Sequence, residues 1–214
     1  MGSAVNKTLL ELDGRPILHH TLARLARVSA ISEVVVVVNA ADEELLTGRH
    51  RAALDALGAT RVIVGGPRRQ DSVFIGLAAT RAGESDLVLI HDGVRPFVKA
   101  GVVERVIDRA HATGAAIAAM PADFTIKECA GSVVTRTVPR DALWQAQTPQ
   151  VFRKALLVRA FEYANHEEID VTDDAQLLEL VGIPVEVVPG NRANIKITTP
   201  DDLELARALA GLSS

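Results

Sequence analysis

The sequence predicts a doubly wound α/β domain with a mostly parallel sheet and a protruding β-hairpin arm. Three observations predict it. Apolar residues recur at helical spacing in segments that alternate with short β-branched runs, as in chains that wind strands between helices. Aromatic residues are only 3% of the 214-residue chain, so Val, Leu, Ile and Ala must fill a core suited to a sheet covered on both faces. The alternation breaks once, over residues 122–144, where two strand-like stretches flank the turn-like Ala130-Gly131-Ser132.

In chain order, Ile17, Leu18, Leu22, Leu25 and Ala26 form the apolar stripe of a helix over 16–28, which leads into an unbroken valine run at 34–38. Helix and strand then repeat: helix 41–57, strand 61–64, helix 72–82, strand 87–90, helix 102–113 and strand 115–120. After the hairpin, helices resume at 153–165 and 175–181, a strand at 185–188 follows, and a last helix covers 200–210. That helix is marked by Thr199 as cap, Pro200 at the first helical position, and Asp201 and Asp202 near the positive end of the dipole. No repeat or low-complexity linker interrupts the chain, and a single domain over 1–214 is expected.

A net charge of -4 and a pI near 5.9 arise from interspersed acids and bases, so no basic surface suited to nucleic acid is implied. Cys129 stands alone, without a partner for a disulfide or a thiol pair for zinc, which fits a reducing cytoplasm. No apolar run approaches the roughly 18 residues that span a bilayer, and residues 1–7 lack the pattern of a secretory signal. A cytoplasmic protein with no membrane partner is the expectation.

Two loops carry the chemistry. Gly65-Gly66-Pro67-Arg68-Arg69-Gln70-Asp71-Ser72-Val73 lies between a strand and a helix at the expected carboxyl edge of the sheet, where open α/β folds bind ligands. Gly65 and Gly66 would let a ligand approach the backbone, Arg69 supplies charge, and Ser72 offers a hydroxyl beside a helix start. In isolation the segment reads first as an ordinary loop with Asp71 or Ser72 as cap, a reading that loses ground beside the next motif. The second loop is His91-Asp92-Gly93-Val94-Arg95-Pro96-Phe97, directly after the strand at 87–90. Asp92 at a strand end can hold a hard cation such as Mg2+, and Arg95 can neutralise phosphate. The plainer alternative is a turn in which Asp92 bonds backbone amides.

Together these loops resemble the paired signatures of the 2-C-methyl-D-erythritol 4-phosphate cytidylyltransferases. The resemblance continues in order through Trp144-Gln145-Ala146-Gln147-Thr148-Pro149-Gln150, Thr172-Asp173-Asp174 and Asn194-Ile195-Lys196-Ile197-Thr198, covering nearly the whole chain. It implies a Rossmann-like nucleotidyltransferase fold, CTP and a polyol phosphate as substrates, a divalent cation, and a homodimer interlocked through the arm. Carried over by position, it implies nucleotide contacts from Gly65, Gly66, Arg69 and Ser72. Asp92 would hold the metal, and Lys7, Arg95 and Lys196 would face the phosphates. Thr125 and Arg140 on the arm would meet the sugar phosphate in the partner's site, with Thr148 and Thr172 lining the pocket. A ribitol 5-phosphate cytidylyltransferase is the nearest rival reading.

The sequence departs from the family pattern at several points. Members begin with an apolar strand and a Gly-rich, Arg-bearing loop around the triphosphate. Here Met1-Gly2 and Lys7 fit the end of that loop, so the resemblance implies a start roughly twenty residues late. A non-catalytic dimeric scaffold is the corresponding alternative. Pro67, Pro139 and Ala193 also replace acids usual in the family, and Lys7 lies in Asn6-Lys7-Thr8 instead of Pro-Lys-Gln.

Overall fold

The computed structural model describes residues 6–212. Past a single 3-10 turn (Lys7–Leu9), a small antiparallel ribbon pairs β1 (Glu11–Leu12) with β2 (Arg15–Pro16), and α1 (Ile17–Leu25) follows, burying Ile17, Leu18, Leu22 and Leu25 as its stripe predicts. Next come β3 (Val35–Val38), α2 (Glu43–Thr47), α3 (Arg51–Ala56) and β4 (Arg61–Val64). The single helix expected over 41–57 is broken at Gly48, whose backbone lies 2.8 Å from the Glu44 carbonyl measured from the position a Cβ would take. Two short helices around a glycine cover the same face as one long one.

The chain continues through α4 (Arg69–Ala79), β5 (Leu87–Ile90), α5 (Ala100–Thr113) and β6 (Ala115–Pro121). Gly114 ends α5 in the left-handed region, at φ 92°, where its amide bonds the Ala110 carbonyl. The arm follows as β7 (Ile126–Ala130) and β8 (Val133–Val138), an antiparallel pair forming its own sheet within the expected 122–144. Then come β9 (Trp144–Arg153), α6 (Lys154–His166), α7 (Asp174–Leu180), β10 (Glu186–Pro189) and α8 (Pro200–Gly211).

The ten-residue β9 is the element that periodicity missed. It joins the principal sheet in the order β10-β6-β9-β5 and runs antiparallel to both neighbours, whereas β10 and β6 are parallel. The sheet is therefore mixed, where a mostly parallel one was expected. Alternation along β6 sends Ala116 and Ala118 against α5, with Val102, Val106 and Ala110, and sends Ala115 and Ile117 against α6 and α7, with Leu157, Phe161, Leu177 and Leu178. Both faces are covered, as the aliphatic composition requires.

A second parallel pair, β3 with β4, packs under α1 through Val36, Val38, Leu18 and Leu22. Among the described residues, β3 and β5 do not pair with each other. A cavity of about 890 Å³ lies between them, lined by Val35 to Val38 on one side and Leu87 to Ile90 on the other. Its inner walls are aliphatic; Asn39, Arg69, Ser72, His91 and Asp92 gather at the carboxyl ends of the strands. No helix of the described residues is long and apolar enough to cross a membrane.

The last helix is capped as its sequence predicts. Thr199 Oγ1 accepts from the Asp202 amide at 3.2 Å, and Asp202 Oδ2 accepts from the amides of Thr198 and Thr199, both at 2.8 Å. α8 in turn lays Ala206 and Ala210 against Leu12, Ile17 and Ile197, which anchors the segment leading out of Lys196. Thr199→Ala is expected to lower the unfolding free energy by about 1 kcal/mol, read as a lower urea midpoint at unchanged slope.

Candidate active site

The carboxyl end of β5 delivers His91 and Asp92 to the mouth of the cavity, and Asp92 becomes the meeting point of three loops. Arg95, three residues on, donates Nε to Asp92 Oδ2 at 3.0 Å; Lys196, from the loop before α8, places Nζ 3.3 Å from the same oxygen; Arg69, at the start of α4, holds Nε 3.7 Å from Oδ1. Burial pushes the Asp92 carboxyl up, but Lys196, Arg95 and Arg69 together outweigh it and hold the group below its usual range. The carboxylate is thus ionised and mostly buried, with Oδ1 free of hydrogen bonds among the described residues.

The Arg95 guanidinium is itself buried, and its Nη1 donates to the Asn194 carbonyl at 2.9 Å. That bond links the loop after β5 to the loop carrying Lys196. Lys196 is the more accessible cation, with 41% of its side chain exposed. Asn194 is fully buried and donates Nδ2 to the Thr148 carbonyl at 2.8 Å, so both loops are pinned to β9.

Thr148 is 4% exposed, and its hydroxyl is occupied by the protein. It accepts the Asp92 amide at 3.1 Å and lies 3.0 Å from His91 Nδ1. The Arg95 carbonyl, 3.4 Å from Nε2, can only accept, which assigns the Nε2-H tautomer to the neutral ring and leaves Nδ1 to accept from the Thr148 hydroxyl. Burial pushes His91 down to about 4, so the imidazole is neutral at physiological pH. It acts as a two-ended staple across the loop.

Arg69 is committed to a buried carboxylate as well. Its Nη1 and Nη2 bond Asp174 Oδ1 and Oδ2 at 3.0 and 2.6 Å, in the bidentate geometry suited to guanidinium and carboxylate. Asp174 is 1% exposed; burial raises its carboxyl, against the pull of Arg69. Asp174 and its anchor Gln150 were singled out only as letters of motifs.

The glycines of the first loop allow a close approach within the protein itself. A Cβ on Gly65 would meet Ser72 Oγ at 2.4 Å and one on Gly66 would meet Asp71 Cβ at 2.4 Å, so both are required by the packing of the loop on the first turn of α4. The Ser72 hydroxyl donates to the carbonyls of Gly66 and Arg68 at 3.3 and 3.2 Å, while Ser72 still lines the cavity mouth.

The other expected site residues lie outside this cluster. Lys7 is exposed, between the cavity-lining Asn6 and Thr8. Thr172 is exposed and donates Oγ1 to Gln176 Oε1 at 3.1 Å. Thr125 and Arg140 are exposed on the arm, where Arg140 bonds the Asp123 carbonyl, and neither contacts Asp92, Arg95 or Lys196 by a hydrogen bond or ion pair. Met1 and Gly2 lie outside the described residues.

The arrangement fits a divalent cation brought in with a polyanion. Among the described residues no three His, Cys, Asp or Glu side chains form a ready cage. Asp92 offers one open carboxylate oxygen, and Mg2+ commonly takes one or two carboxylates with the remaining positions filled by water and substrate phosphates.

Comparison with known proteins gives one consistent answer. A sequence profile of 2-C-methyl-D-erythritol 4-phosphate cytidylyltransferase matches residues 1–211. The enzyme of that name from Syntrophus aciditrophicus is 44% identical over 209 residues, covering 97% of this chain and 89% of the relative. The crystal structure of the Thermus thermophilus enzyme of that name superposes with a TM-score of 0.82 at 38% identity, covering 96% of this chain and 93% of the other. That of a 4-diphosphocytidyl-2C-methyl-D-erythritol synthase from Anaerococcus prevotii reaches 0.86 at 34% identity, with 98% and 92% covered.

The His91 staple has a pH signature. A group whose protonation is suppressed in the folded state binds fewer protons there than in the unfolded chain, so stability falls as pH drops below its ordinary value of about 6.5. The loss continues down to about 4, the value burial gives His91. Urea midpoints measured between pH 7 and 4.5 should fall with pH, and less steeply in His91→Gln, which has nothing to protonate.

Proposed function

The chain belongs to the 2-C-methyl-D-erythritol 4-phosphate cytidylyltransferase family, and from that premise we propose that it joins CTP and 2-C-methyl-D-erythritol 4-phosphate to give 4-diphosphocytidyl-2-C-methyl-D-erythritol and pyrophosphate. The observation that carries this reading is the convergence of Lys196, Arg95 and Arg69 on the ionised Asp92 at the mouth of the cavity. Relatives bearing this activity in their names match the chain from end to end, which favours methylerythritol phosphate over ribitol phosphate as acceptor.

In this reaction a phosphate oxygen of the acceptor attacks the α-phosphorus of CTP and the bond to pyrophosphate breaks. No protein nucleophile is needed; the protein must gather two polyanions and stabilise an in-line transition state. Lys196, part-exposed with its ammonium 3.3 Å from Asp92 Oδ2, is placed to meet the phosphates with that same ammonium. Arg95 holds Asp92 in place and adds positive field from beneath. Lys7 and Ser72 flank the nucleotide side of the mouth, with Gly65 and Gly66 shaping the loop. Asp92 would hold a divalent cation, and such an ion would supply charge neutralisation on the triphosphate.

The same reading makes residues 1–214 one catalytic domain that works as a homodimer through the arm. Phe124 is 74% exposed and Val133 and Val134 are 67% and 54% exposed on a two-stranded ribbon with open edges. Such a ribbon is marginal alone and is stabilised by pairing. In a dimer, Thr125 and Arg140 would reach the acceptor in the partner's site, while Thr148 and Thr172 shape the pocket of their own subunit.

Pyrophosphate release from CTP and methylerythritol phosphate with Mg2+ tests the reaction, and none at saturating substrates would overturn it. Asp92→Asn should lower kcat about a hundredfold with the fold retained. Lys196→Ala should lower kcat/KM with little change in stability. Arg95→Ala should lower activity and also cost about 2 kcal/mol of stability, because it strips a charged hydrogen bond from a buried carboxylate. Replacing residues 126–138 by a short turn should convert dimers to monomers in sedimentation velocity. An intact chain already monomeric at micromolar concentration would contradict the role of the arm.

A further inference from the structure

Gln150 lies on β9, opposite Ile90 on one side and Ile117 on the other, and is 1% exposed. A buried primary amide is costly unless each of its groups is bonded. Here they are. Oε1 accepts both the Asp174 and the Ala175 amides at 3.1 Å, and Nε2 donates to Asp173 Oδ2 at 2.8 Å. The first residues of α7 are thus capped from another element, and Asp173 is left to cap the Gln176 amide at 3.1 Å.

The consequence reaches the reacting end of the cavity. Fixing the start of α7 fixes Asp174, whose carboxylate grips Arg69 with two bonds, and Arg69 lies beside the free oxygen of Asp92. We propose that Gln150 is a positioning residue for cytidylyl transfer: through Asp174 it holds Arg69 beside Asp92, in the orientation that leaves Oδ1 of Asp92 directed to the substrates. The inference rests on the proposed function above. Removing the amide leaves the two α7 amides and Asp173 to find other partners, and the first turn shifts; a misplacement of about 1 Å near the reacting groups costs on the order of a hundredfold in rate.

The test compares Gln150→Met, of similar size but unable to form the three bonds, with Gln150→Asn, Asp174→Asn and the double variant Gln150→Met/Asp174→Asn. Each is purified as the full chain and assayed for turnover and for thermal unfolding. Gln150→Met should stay folded, lose at least tenfold in kcat and change KM for CTP less than threefold. The double variant should be no more than about twofold worse than the poorer single one, because the two residues act in series. Full kcat in folded Gln150→Met, or losses that multiply in the double variant, would overturn the positioning role even if stability falls. Inactivity of the unsubstituted chain would instead strike at the proposed function. The Arg69 Nη-H resonances, which bond Asp174, then decide the geometric part: slow exchange with solvent, lost in Gln150→Met, supports the linkage, and equal exchange in both refutes it.

Discussion

The site depends on keeping one carboxylate, Asp92, ionised while most of it is out of water. Desolvation opposes the charge, and three cations from separate loops overcome it. Each cation is in turn oriented by something else: Arg95 by the Asn194 carbonyl, Arg69 by Asp174, and Lys196 by a loop that Asn194 ties to β9. The burial of Asp92 explains why so much polar structure surrounds it. A solvated carboxylate would need no such shell, but it would also leave the cations free to swing by the full reach of their side chains.

The same charges limit what the protein supplies on its own. With Asp174 counted against Arg69, and Asp92 against Arg95, Lys196 is left as the surplus cation of the cluster. A triphosphate beside a second phosphate carries several negative charges, and one ammonium cannot neutralise them at close range. A divalent cation arriving with the nucleotide would supply the balance in the proposed reaction, beside an oxygen of Asp92 that takes no hydrogen bond among the described residues.

Much of this was legible in the sequence, and the limits follow from what each signal reports. Helix stripes such as Leu18, Leu22 and Leu25, and the valine run ahead of Asn39, report burial, and those elements stand within a few residues of expectation. Asp92 and Arg95 were legible because a charged loop directly after an apolar strand marks the sheet's carboxyl edge. β9 was not, since Gln145, Gln147, Thr148 and Gln150 lack apolar alternation. The polarity of Gln147, Thr148 and Gln150 answers to hydrogen bonds with distant loops, and those bonds exist only after the chain has folded. For the same reason Asp174 reads as a helix-start acid in sequence, yet its carboxylate is buried against Arg69, 105 residues away.

The antiparallel sense of β9 explains why those polar residues sit where they do. Its start pairs with the end of β6, Gln145 opposite Met120, and Gln150 then lies between Ile90, the last residue of β5, and Ile117 of β6, so residues 145–150 run along the edge where the parallel strands end. A parallel strand in that slot would bring only its own last residue and a loop to this edge. An antiparallel one brings a continuous segment, joined to β6 at 144–146 and held between β5 and β6 from Gln150 onward, and side chains on such a segment are more rigid than on a free loop. Three of them use that rigidity in different directions: Gln147 toward Asn191 and Asn194, Thr148 toward His91 and Asp92, and Gln150 toward α7. The loops that carry Lys196, Asp92 and Asp174 are therefore referenced to one strand.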